Sequence, residues 1–130
     1  MKRTFIIIGS VLLFLFILVG PGVYVWGDFA IRKNINMAKS QYPGKAEDAL
    51  IAYLLDSTNS PHDRSHRAIN TLGQIESQKA RPVLLKLYKN DPEGKTCYGK
   101  HDDVLCQYEI YKALNARQVN WWPLHRHLNK

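Results

Sequence analysis

Apolar positions run without interruption through the first part of the chain. Phe5–Trp26 holds 22 residues and no charged side chain, and a helix of about 20 apolar residues spans the hydrocarbon core of a bilayer. Lys2 and Arg3 precede this segment, and aromatic side chains, which are enriched at membrane interfaces, stand near its end. The pattern predicts a transmembrane helix, with residues 1–27 acting as a signal anchor.

A cleaved signal peptide is the alternative interpretation of the same segment. Signal peptides usually have an apolar region of about 7–15 residues, followed by a small-x-small cleavage site. Here the apolar run is longer, and bulky residues follow Gly20-Pro21-Gly22, which could break the helix and set up cleavage. These features favour an anchor that stays attached, and cleavage remains the alternative.

The charges on the two sides of the segment do not by themselves decide its orientation. Positive residues accumulate on the cytoplasmic side of membrane proteins, but three basic residues follow the segment and nearly balance those before it. The very short N-terminal tail favours a cytoplasmic N-terminus. We therefore expect a single-pass protein of the inner (plasma) membrane whose soluble domain is extracytoplasmic (periplasmic).

The rest of the chain alternates between helical periodicity and turn-forming residues. Residues 28–44 predict a juxtamembrane helix or linker that Pro43 ends, because proline cannot continue a helix. Residues 45–130 then repeat apolar positions at spacings of three and four and show no sustained two-residue alternation, which predicts an all-α domain. Its helices are expected near residues 45–55, 62–75, 80–88 and 102–114, with a short closing helix around Trp121, Trp122 and Leu124.

The four helices can be aligned as an internal repeat of two hairpins. Ala49–Ile51 matches Val83–Leu85 at an offset of 34 residues. Ala68 matches Ile110 at an offset of 42 residues. Helical repeats of this length are typical of α-solenoids. The difference between the offsets places about eight extra residues in the second repeat, between residues 92 and 102.

The first repeat carries a recognisable set of residues: an aspartate after its first helix, an arginine that starts the second, and an Ala-x-x-x-Leu-Gly-x-Ile ending. These positions are Asp56, Arg64, Ala68, Leu72, Gly73 and Ile75. In this pattern the first repeat resembles the HEAT-repeat family, especially its short bacterial form. The second repeat departs from the pattern, since it lacks the arginine and has Asn115 in place of the glycine.

This resemblance implies a small right-handed α-solenoid of about two helical hairpins. In such a fold Gly73 would permit a left-handed helix end, and Ala68 would let two helices approach. About three repeats are normally needed for a stable stack, so the juxtamembrane helix and the Trp121-Trp122 segment are the candidate caps. Members of this family usually bind other proteins, and a few related proteins bind tetrapyrroles or act on them as lyases.

The chain holds two cysteines, Cys97 and Cys106, with His101 and two aspartates between them. Structural zinc sites normally use closely spaced cysteine pairs, and catalytic redox pairs favour Cys-x-x-Cys. Cys97 lies in the extra loop and Cys106 in the following helix, a placement typical of a disulfide that holds an insertion. We predict this disulfide and no metal. A metal site that includes His101 and Asp102, or two free cysteines in a reducing cytosol, are the alternatives.

Other residues with chemical potential are scattered along the chain. His62 and His66 lie four apart and share a helix face, where they could bind a metal, but a solvated face is the preferred interpretation, as it is for His125–His127. Asp102-Asp103 and Glu47-Asp48 are expected to begin helices, where negative charge suits the helix dipole. No triad, glycine-rich phosphate loop or paired-carboxylate motif is present, so neither an enzyme nor a cofactor is predicted.

Charge limits the possible partners. The formal net charge of +7 falls to +5 without Lys2 and Arg3, and no basic run interleaves with aromatic residues as on a nucleic-acid surface. We therefore predict no nucleic-acid partner and a membrane contact through residues 5–26. The predicted function is a membrane-anchored scaffold or adaptor that binds another protein of the membrane or envelope. Its concave face, formed by the second and fourth helices, would contribute Arg64, Arg67, Gln107 and Tyr111.

Two other functions stay open at this stage. An anchored adaptor that faces the cytoplasm would require free thiols at Cys97 and Cys106. A ligand- or metal-binding accessory, or a lyase-like enzyme of the HEAT-like family, would depend on His62, His66 and His101. The state of the cysteines separates the first of these from the predicted function, and bound metal or pigment would favour the second.

Overall fold

The computed structural model describes residues 2–119 and 123–129. Helices and turns account for these residues, and no strand occurs among them, which confirms the predicted all-α class. By internal contacts the chain divides into two units, Met1–Ala30 and Ile31–Lys130. The α-helices are α1 (Lys2–Gln41), α2 (Ala46–Leu55), α3 (Pro61–Asp63), α4 (Asn70–Gln74), α5 (Arg81–Leu87), α6 (Gln107–Leu114) and α7 (Ala116–Val119).

The first unit consists of the beginning of α1. The helix continues through Pro21, so the Gly20-Pro21-Gly22 sequence does not break it. Most of the large apolar side chains described between Ile7 and Phe29 are exposed. Among the described residues, α1 is the one helix that is long and apolar enough to cross a membrane, with a mean hydropathy of 2.3 in its most apolar window.

The second unit begins earlier than the predicted domain boundary at Lys45. Ile31, Ile35 and Ala38, near the end of α1, are buried in its hydrophobic core. The juxtamembrane residues thus pack onto the domain, which is the position expected of a cap. The other fully buried large apolar side chains come from both predicted hairpins: Leu50, Leu54, Ile69, Leu72, Ile75 and Ile110.

The first hairpin pairs α2 with a second helix of mixed geometry, residues 61–74. α2 carries Glu47 and Asp48 in its first turn, as predicted. The second helix begins at α3, where the Ser60 hydroxyl accepts a hydrogen bond from the Asp63 N–H as an N-cap. It then adopts π-helical geometry over Arg64–Ile69 before α4 completes it. The predicted helix at residues 62–75 is therefore confirmed in extent, although its middle turn is wider than an α-helix.

Asp56 closes the turn between these two helices. Its carboxylate accepts hydrogen bonds from the Tyr42 hydroxyl at 2.5 Å and from the N–H and hydroxyl of Thr58 at 2.8 and 2.7 Å. The Tyr42 bond, followed by the Thr58 bonds, lowers the pKa of Asp56 from 3.8 to about 2. Arg64 completes the turn, since its Nε donates to the Leu54 carbonyl at 2.7 Å. The aspartate and arginine of the repeat pattern thus act on the same turn.

The end of this second helix departs from expectation at Gly73. The left-handed residue is Glu76, with φ of 48°; the Glu76 N–H bonds to the Gly73 carbonyl and the Ser77 N–H to the Leu72 carbonyl, which is a Schellman ending. Gly73 itself lies inside α4, where an added Cβ would stand 2.9 Å from the Cα of Ala113. The expected role of Gly73 in a left-handed helix end is therefore wrong, because its lack of a side chain serves the close approach of α6.

The second hairpin pairs α5 with α6 across residues 88–106, which include a 3-10 turn at Lys95–Cys97. α6 begins at Gln107 rather than at Asp102, so the expectation that Asp102 and Asp103 start it is wrong. Residues 101–103 form a turn instead, and Cys106 takes the N-cap position with extended backbone. The chain between the cysteines must turn back for their side chains to meet, and a helix from residue 102 would carry Cys106 away from Cys97.

The C-terminal part follows α6 directly. α7 and a 3-10 helix at Pro123–Leu128 succeed one another, and the predicted closing residues Trp121 and Trp122 lie outside the described residues. His125 is buried, which is unlike the surface position expected for residues 125–127. Leu128 packs against the hydrophobic core.

Candidate functional site

The two cysteines meet at the base of the long connection in the second hairpin. Cys97 and Cys106 lie at disulfide distance, with their Cα atoms 5.0 Å apart, which is within the range that a disulfide requires. Both residues are buried. The sequence prediction that these two cysteines pair with each other therefore agrees with their positions.

Asp91 organises the part of the connection that leads to Cys97. Its carboxylate accepts hydrogen bonds from the Lys95 N–H at 3.1 Å and from the N–H and hydroxyl of Thr96, both at 2.8 Å. The Thr96 bonds are the main reason that the pKa of Asp91 lies below its ordinary value. Gly94 adopts a φ of 68° in the same turn, and an added Cβ there would lie 2.8 Å from the Cβ of Tyr108. The connection is thus held close against α6.

The π-helical segment of the first hairpin supplies the other side of the site. Ser65 is fully buried, and its hydroxyl accepts a hydrogen bond from the Cys106 N–H at 2.8 Å, so it caps the start of α6 from another helix. π-Helical turns are rare and are found often at functional sites. No sequence motif marks Ser65, because its partner lies 41 residues away.

Three histidines lie in succession, and the last of them, His101, is beside the cysteines. The rings of His62 and His66 have centroids 4.6 Å apart, which confirms that they share a helix face. His101, from the long connection, brings its Nδ1 to 3.1 Å from the Nε2 of His66. The structure thus joins the three histidines that the ligand-binding hypothesis named, although their sequence spacing joined only the first two.

Glu109 lies on the opposite side of the His66 ring. Its Oε1 is 3.7 Å from the Nδ1 of His66 and 2.8 Å from the Nζ of Lys112, and its Oε2 accepts a hydrogen bond from Asn70 at 3.2 Å. Glu109 is buried. Of its contacts, only the pair with Lys112, three residues later on the same helix, has a signal in the sequence. Burial lowers the pKa of His66; nearby His62, His101 and Lys112 act in the same direction and Glu109 opposes them. Burial therefore favours the neutral form of His66, in which one ring nitrogen donates a hydrogen bond and the other accepts one.

The residue types at this site are ligands for a borderline-soft metal ion. One ligand atom each from Cys97, His101 and Cys106 lie within 4.8 Å of one another. In a tetrahedral zinc site with Zn–N of about 2.0 Å and Zn–S of about 2.3 Å, ligand atoms stand roughly 3.3–3.8 Å apart. The upper limit of 4.8 Å is about 1 Å longer than this spacing, so the three side chains lie close to the positions that a metal ion requires. With the cysteines joined, their sulfurs are not available as thiolate ligands.

The four residues predicted to bind a partner do not share one environment. Arg64 is used in the first turn, as described above, and Gln107 is buried, where its amide accepts from the Lys89 N–H at 2.7 Å and donates to the Leu87 carbonyl. Arg67 is about half exposed and pairs with Asp63 at 3.1 Å, and Tyr111 is partly buried. Partner binding through these residues stays a prediction, with Arg67 the most accessible of the four.

A polar cleft lies at the far end of the hairpins from the turns. It has a volume of about 350 Å³. It is lined by several residues between 76 and 84 and by residues 113–118. Arg81 donates to the Leu114 carbonyl at 3.0 Å, and Glu76 pairs with Arg117 at 3.5 Å and with Arg126 at 2.5 Å. The charged groups at this cleft thus pair with one another or with backbone carbonyls. The histidine–cysteine cluster, which offers possible metal ligands, is therefore the stronger candidate for a functional site.

Comparisons with known proteins do not change this picture. The HEAT-like resemblance stays a prediction that depends on the residues of the first repeat. Searches of protein-family models, of curated proteins and of solved structures find no match to this chain.

Proposed function

We propose that this chain is a single-pass membrane protein whose folded domain lies outside the cytoplasm and docks another protein. The observation that carries the proposal is the pairing, in one chain, of an exposed apolar helix with a small folded unit that contains a cysteine pair at disulfide distance. The exposure of apolar side chains along most of residues 7–29 would be unfavourable in water and is favourable in the hydrocarbon core of a bilayer. Residues 31–130 then form the folded domain that docks the partner.

The cysteine pair supports the extracytoplasmic orientation. Disulfides persist in oxidising compartments, including the bacterial periplasm, and are rare in the cytosol of mesophiles. The basic residues Lys2 and Arg3 before the apolar segment agree with a cytoplasmic N-terminus. We infer an inner (plasma) membrane location with the domain on the periplasmic side.

The docking role is supported by the way the hairpins pack. The second helices of the two hairpins lie against each other, with α4 beside α6, and Gly73 permits their close approach. We infer two HEAT-like hairpins, capped by the end of α1, whose paired second helices form the binding face. Arg67 and Tyr108 are exposed on these helices, and Arg and Tyr are frequent anchors at protein interfaces.

Orientation is tested by the state of the cysteines in native membranes. Thiols are blocked with an alkylating reagent before solubilisation, and the peptides that contain Cys97 and Cys106 are mapped by mass spectrometry without reduction. We expect a linked, unlabelled pair. Recovery of both cysteines as labelled thiols would contradict the extracytoplasmic placement while leaving the anchor itself untouched.

Docking is tested by site-specific photocrosslinking in the same membranes. A photoreactive residue is placed at Arg67, and the matched control carries it at Lys86, an exposed lysine of α5 outside the proposed face. We expect a defined crosslinked product from position 67 and none of that mass from position 86. Equal products from both positions, or none from position 67, would count against a docking face on the second helices.

A further inference from the structure

The ligand atoms of the two cysteines and of His101 lie close enough together to bind a metal ion. Their ligand atoms lie within 4.8 Å of one another, and both sulfurs are buried while His101 is partly exposed. Burial of the sulfurs keeps competing water away, and the exposed side gives an ion a path to the cluster. Two thiolates and an imidazole are a donor set that zinc uses, in sites that keep a fourth position for water.

A second observation concerns the orientation of His101. Its Nδ1 faces the Nε2 of His66 at 3.1 Å, and the Nδ1 of His66 faces the buried carboxylate of Glu109 at 3.7 Å. Lys112 and Asn70 hold this carboxylate in place. Metal-binding histidines almost always use their second ring nitrogen in such a hydrogen bond, which sets the tautomer and the ring orientation. Here the partner of the His101 Nδ1 is the His66 ring, and the Glu109 carboxylate lies beyond that ring.

We propose that reduction of the Cys97–Cys106 disulfide converts this cluster into a zinc site, with Cys97, His101 and Cys106 as ligands and His66 as a positioning residue. A dithiol reductant supplies two electrons and two protons; the S–S bond breaks, two S–H bonds form, and the reductant becomes a disulfide. Zn²⁺ then displaces the two thiol protons to solvent as two Zn–S bonds and one Zn–N bond form. Water completes the tetrahedral shell.

The two states of the site exclude each other. The disulfide uses the same sulfur atoms that zinc needs, so the oxidised chain retains only imidazole donors, and the reduced chain gains two thiolates. In either state the long connection of the second hairpin is joined to the start of α6, once by a covalent bond and once through the metal. The cluster therefore acts as a redox-controlled metal site, and this holds on whichever side of the membrane the domain lies.

The test uses the full chain in detergent, with Co²⁺ as a spectroscopic substitute for Zn²⁺. One sample is kept oxidised, and the other is reduced with a dithiol that is then removed without oxygen. We expect the reduced sample to bind one Co²⁺ per chain with a thiolate-to-cobalt charge-transfer band, and Zn²⁺ to remove that band. The oxidised sample should show no such band.

Variants assign the ligands. Cys106→Ser should abolish the charge-transfer band or reduce its intensity by about half, and His101→Ala should weaken Co²⁺ binding by at least 10–100-fold. His127→Ala is the matched control, since His127 is an exposed histidine of the C-terminal 3-10 helix, and it should bind like the parent. His101→Ala retains both cysteines, so its oxidised form also reports by circular dichroism whether the variant folds.

His66 requires a readout that a purely structural role would not change. His66→Ala should weaken Co²⁺ binding about 10–100-fold and alter the ligand-field bands of the bound ion, because His101 loses the partner that orients it. His66→Gln, whose amide can still bond to His101, should recover part of the affinity. Equal weakening by both substitutions would assign His66 a packing role and remove it from the proposal.

Three results would overturn the proposed site as a whole. They are the absence of Co²⁺ binding by the reduced chain, an equal charge-transfer band in the Cys97→Ser, Cys106→Ser double variant, and an equal loss of affinity in His127→Ala. If the reduced chain loses its helical signal, addition of Zn²⁺ should restore it, since the binding free energy of a structural metal is also folding free energy. Failure of Zn²⁺ to restore the helices would contradict the proposal as well.

Discussion

The two helical hairpins of this domain reverse the direction of the chain in different ways. The first reverses over residues 56–60, and the Asp56 carboxylate satisfies the N–H and hydroxyl of Thr58. The second reverses over residues 88–106, where the Asp91 carboxylate does the same for Thr96. Both turns therefore use an aspartate as a local acceptor, but only the second adds a cysteine pair.

The difference lies in how much chain each turn must order. Fixing a residue costs roughly 1–2 kcal/mol of conformational entropy, and the longer connection buries few large apolar side chains to offset that cost. A cross-link between Cys97 and Cys106 lowers the entropy of the unfolded chain and so offsets roughly 2–3 kcal/mol of this cost. The first turn is short and is closed by Tyr42, Asn59 and Arg64 without a covalent bond. The longer connection therefore has the larger entropy cost, and it is the one that carries the cysteine pair.

The largest expected effect tests whether the hairpins share one core. Leu54 from the first hairpin and Ile110 from the second are both fully buried in the same cluster. Leu54→Ala and Ile110→Ala should each lower the free energy of unfolding by about 2–5 kcal/mol, because each leaves a cavity. Thermal and urea unfolding in detergent measure this, with exposed Leu85→Ala as the control. Two separate transitions, or a loss confined to one variant, would indicate two independent hairpins.

The next effect concerns the staple itself. The Cys97→Ser, Cys106→Ser double variant should lose roughly 2–3 kcal/mol of stability on the chain-entropy model for a loop of this length. Urea denaturation of the oxidised parent and of the variant, both without metal, measures the difference. Prior reduction should lower the stability of the parent to that of the variant and leave the variant unchanged. A variant as stable as the oxidised parent would show that the long connection needs no cross-link.

A pair of glycines separates backbone strain from close packing in the long connection. Gly94 and Gly99 have the same φ of 68°, but an added Cβ meets Tyr108 and Cys97 only at Gly94, whereas it meets nothing within 4 Å at Gly99. Gly99→Ala should cost roughly 1–2 kcal/mol from the left-handed backbone. Gly94→Ala should cost about 1–3 kcal/mol more through overpacking. Equal melting temperatures for the two variants would contradict the close approach at Gly94.

The smallest expected effect is the pH dependence of the two aspartate turns. The pKa of Asp56 falls from 3.8 to about 2 in the folded state, chiefly through the Tyr42 hydrogen bond, and the pKa of Asp91 is also lowered, chiefly by Thr96. A lowered pKa stabilises the folded state fully above the unfolded value, and this contribution is lost as the pH falls from about 4 towards 2. Asp56→Asn and Asp91→Asn should each reduce the drop in melting temperature over this window.

Asp103→Asn, an exposed aspartate of the turn at residues 101–103, is the matched control for both substitutions. Its acid-induced drop in melting temperature should equal that of the parent. An unchanged drop in Asp56→Asn would mean that the Tyr42 and Thr58 hydrogen bonds do not favour the charged carboxylate. The two hairpins could then no longer be described as sharing an aspartate-based turn.

The helices were largely predictable because they are local. Periodicity places α2, the second helix and α5 close to their observed bounds, and the apolar run marks the start of α1. The start of α6 was not predictable from periodicity, since Asp102 and Asp103 look like a helix start until Cys106 is held against Cys97 and Ser65. The role of Gly73 was equally hidden, because its reason is the backbone of Ala113 on another helix.

The sequence by itself determined the helical class and the apolar N-terminal segment, because both depend on composition and periodicity, and it indicated that the two cysteines pair with each other. The tertiary structure alone decided that His62, His66 and His101 lie together and that Glu109 stands behind His66. The contacts of His66 with His101 and with Glu109 join residues 35 or more positions apart. They depend on how the π-helical segment, the long connection and α6 pack against one another, and no local pattern of side chains encodes that packing.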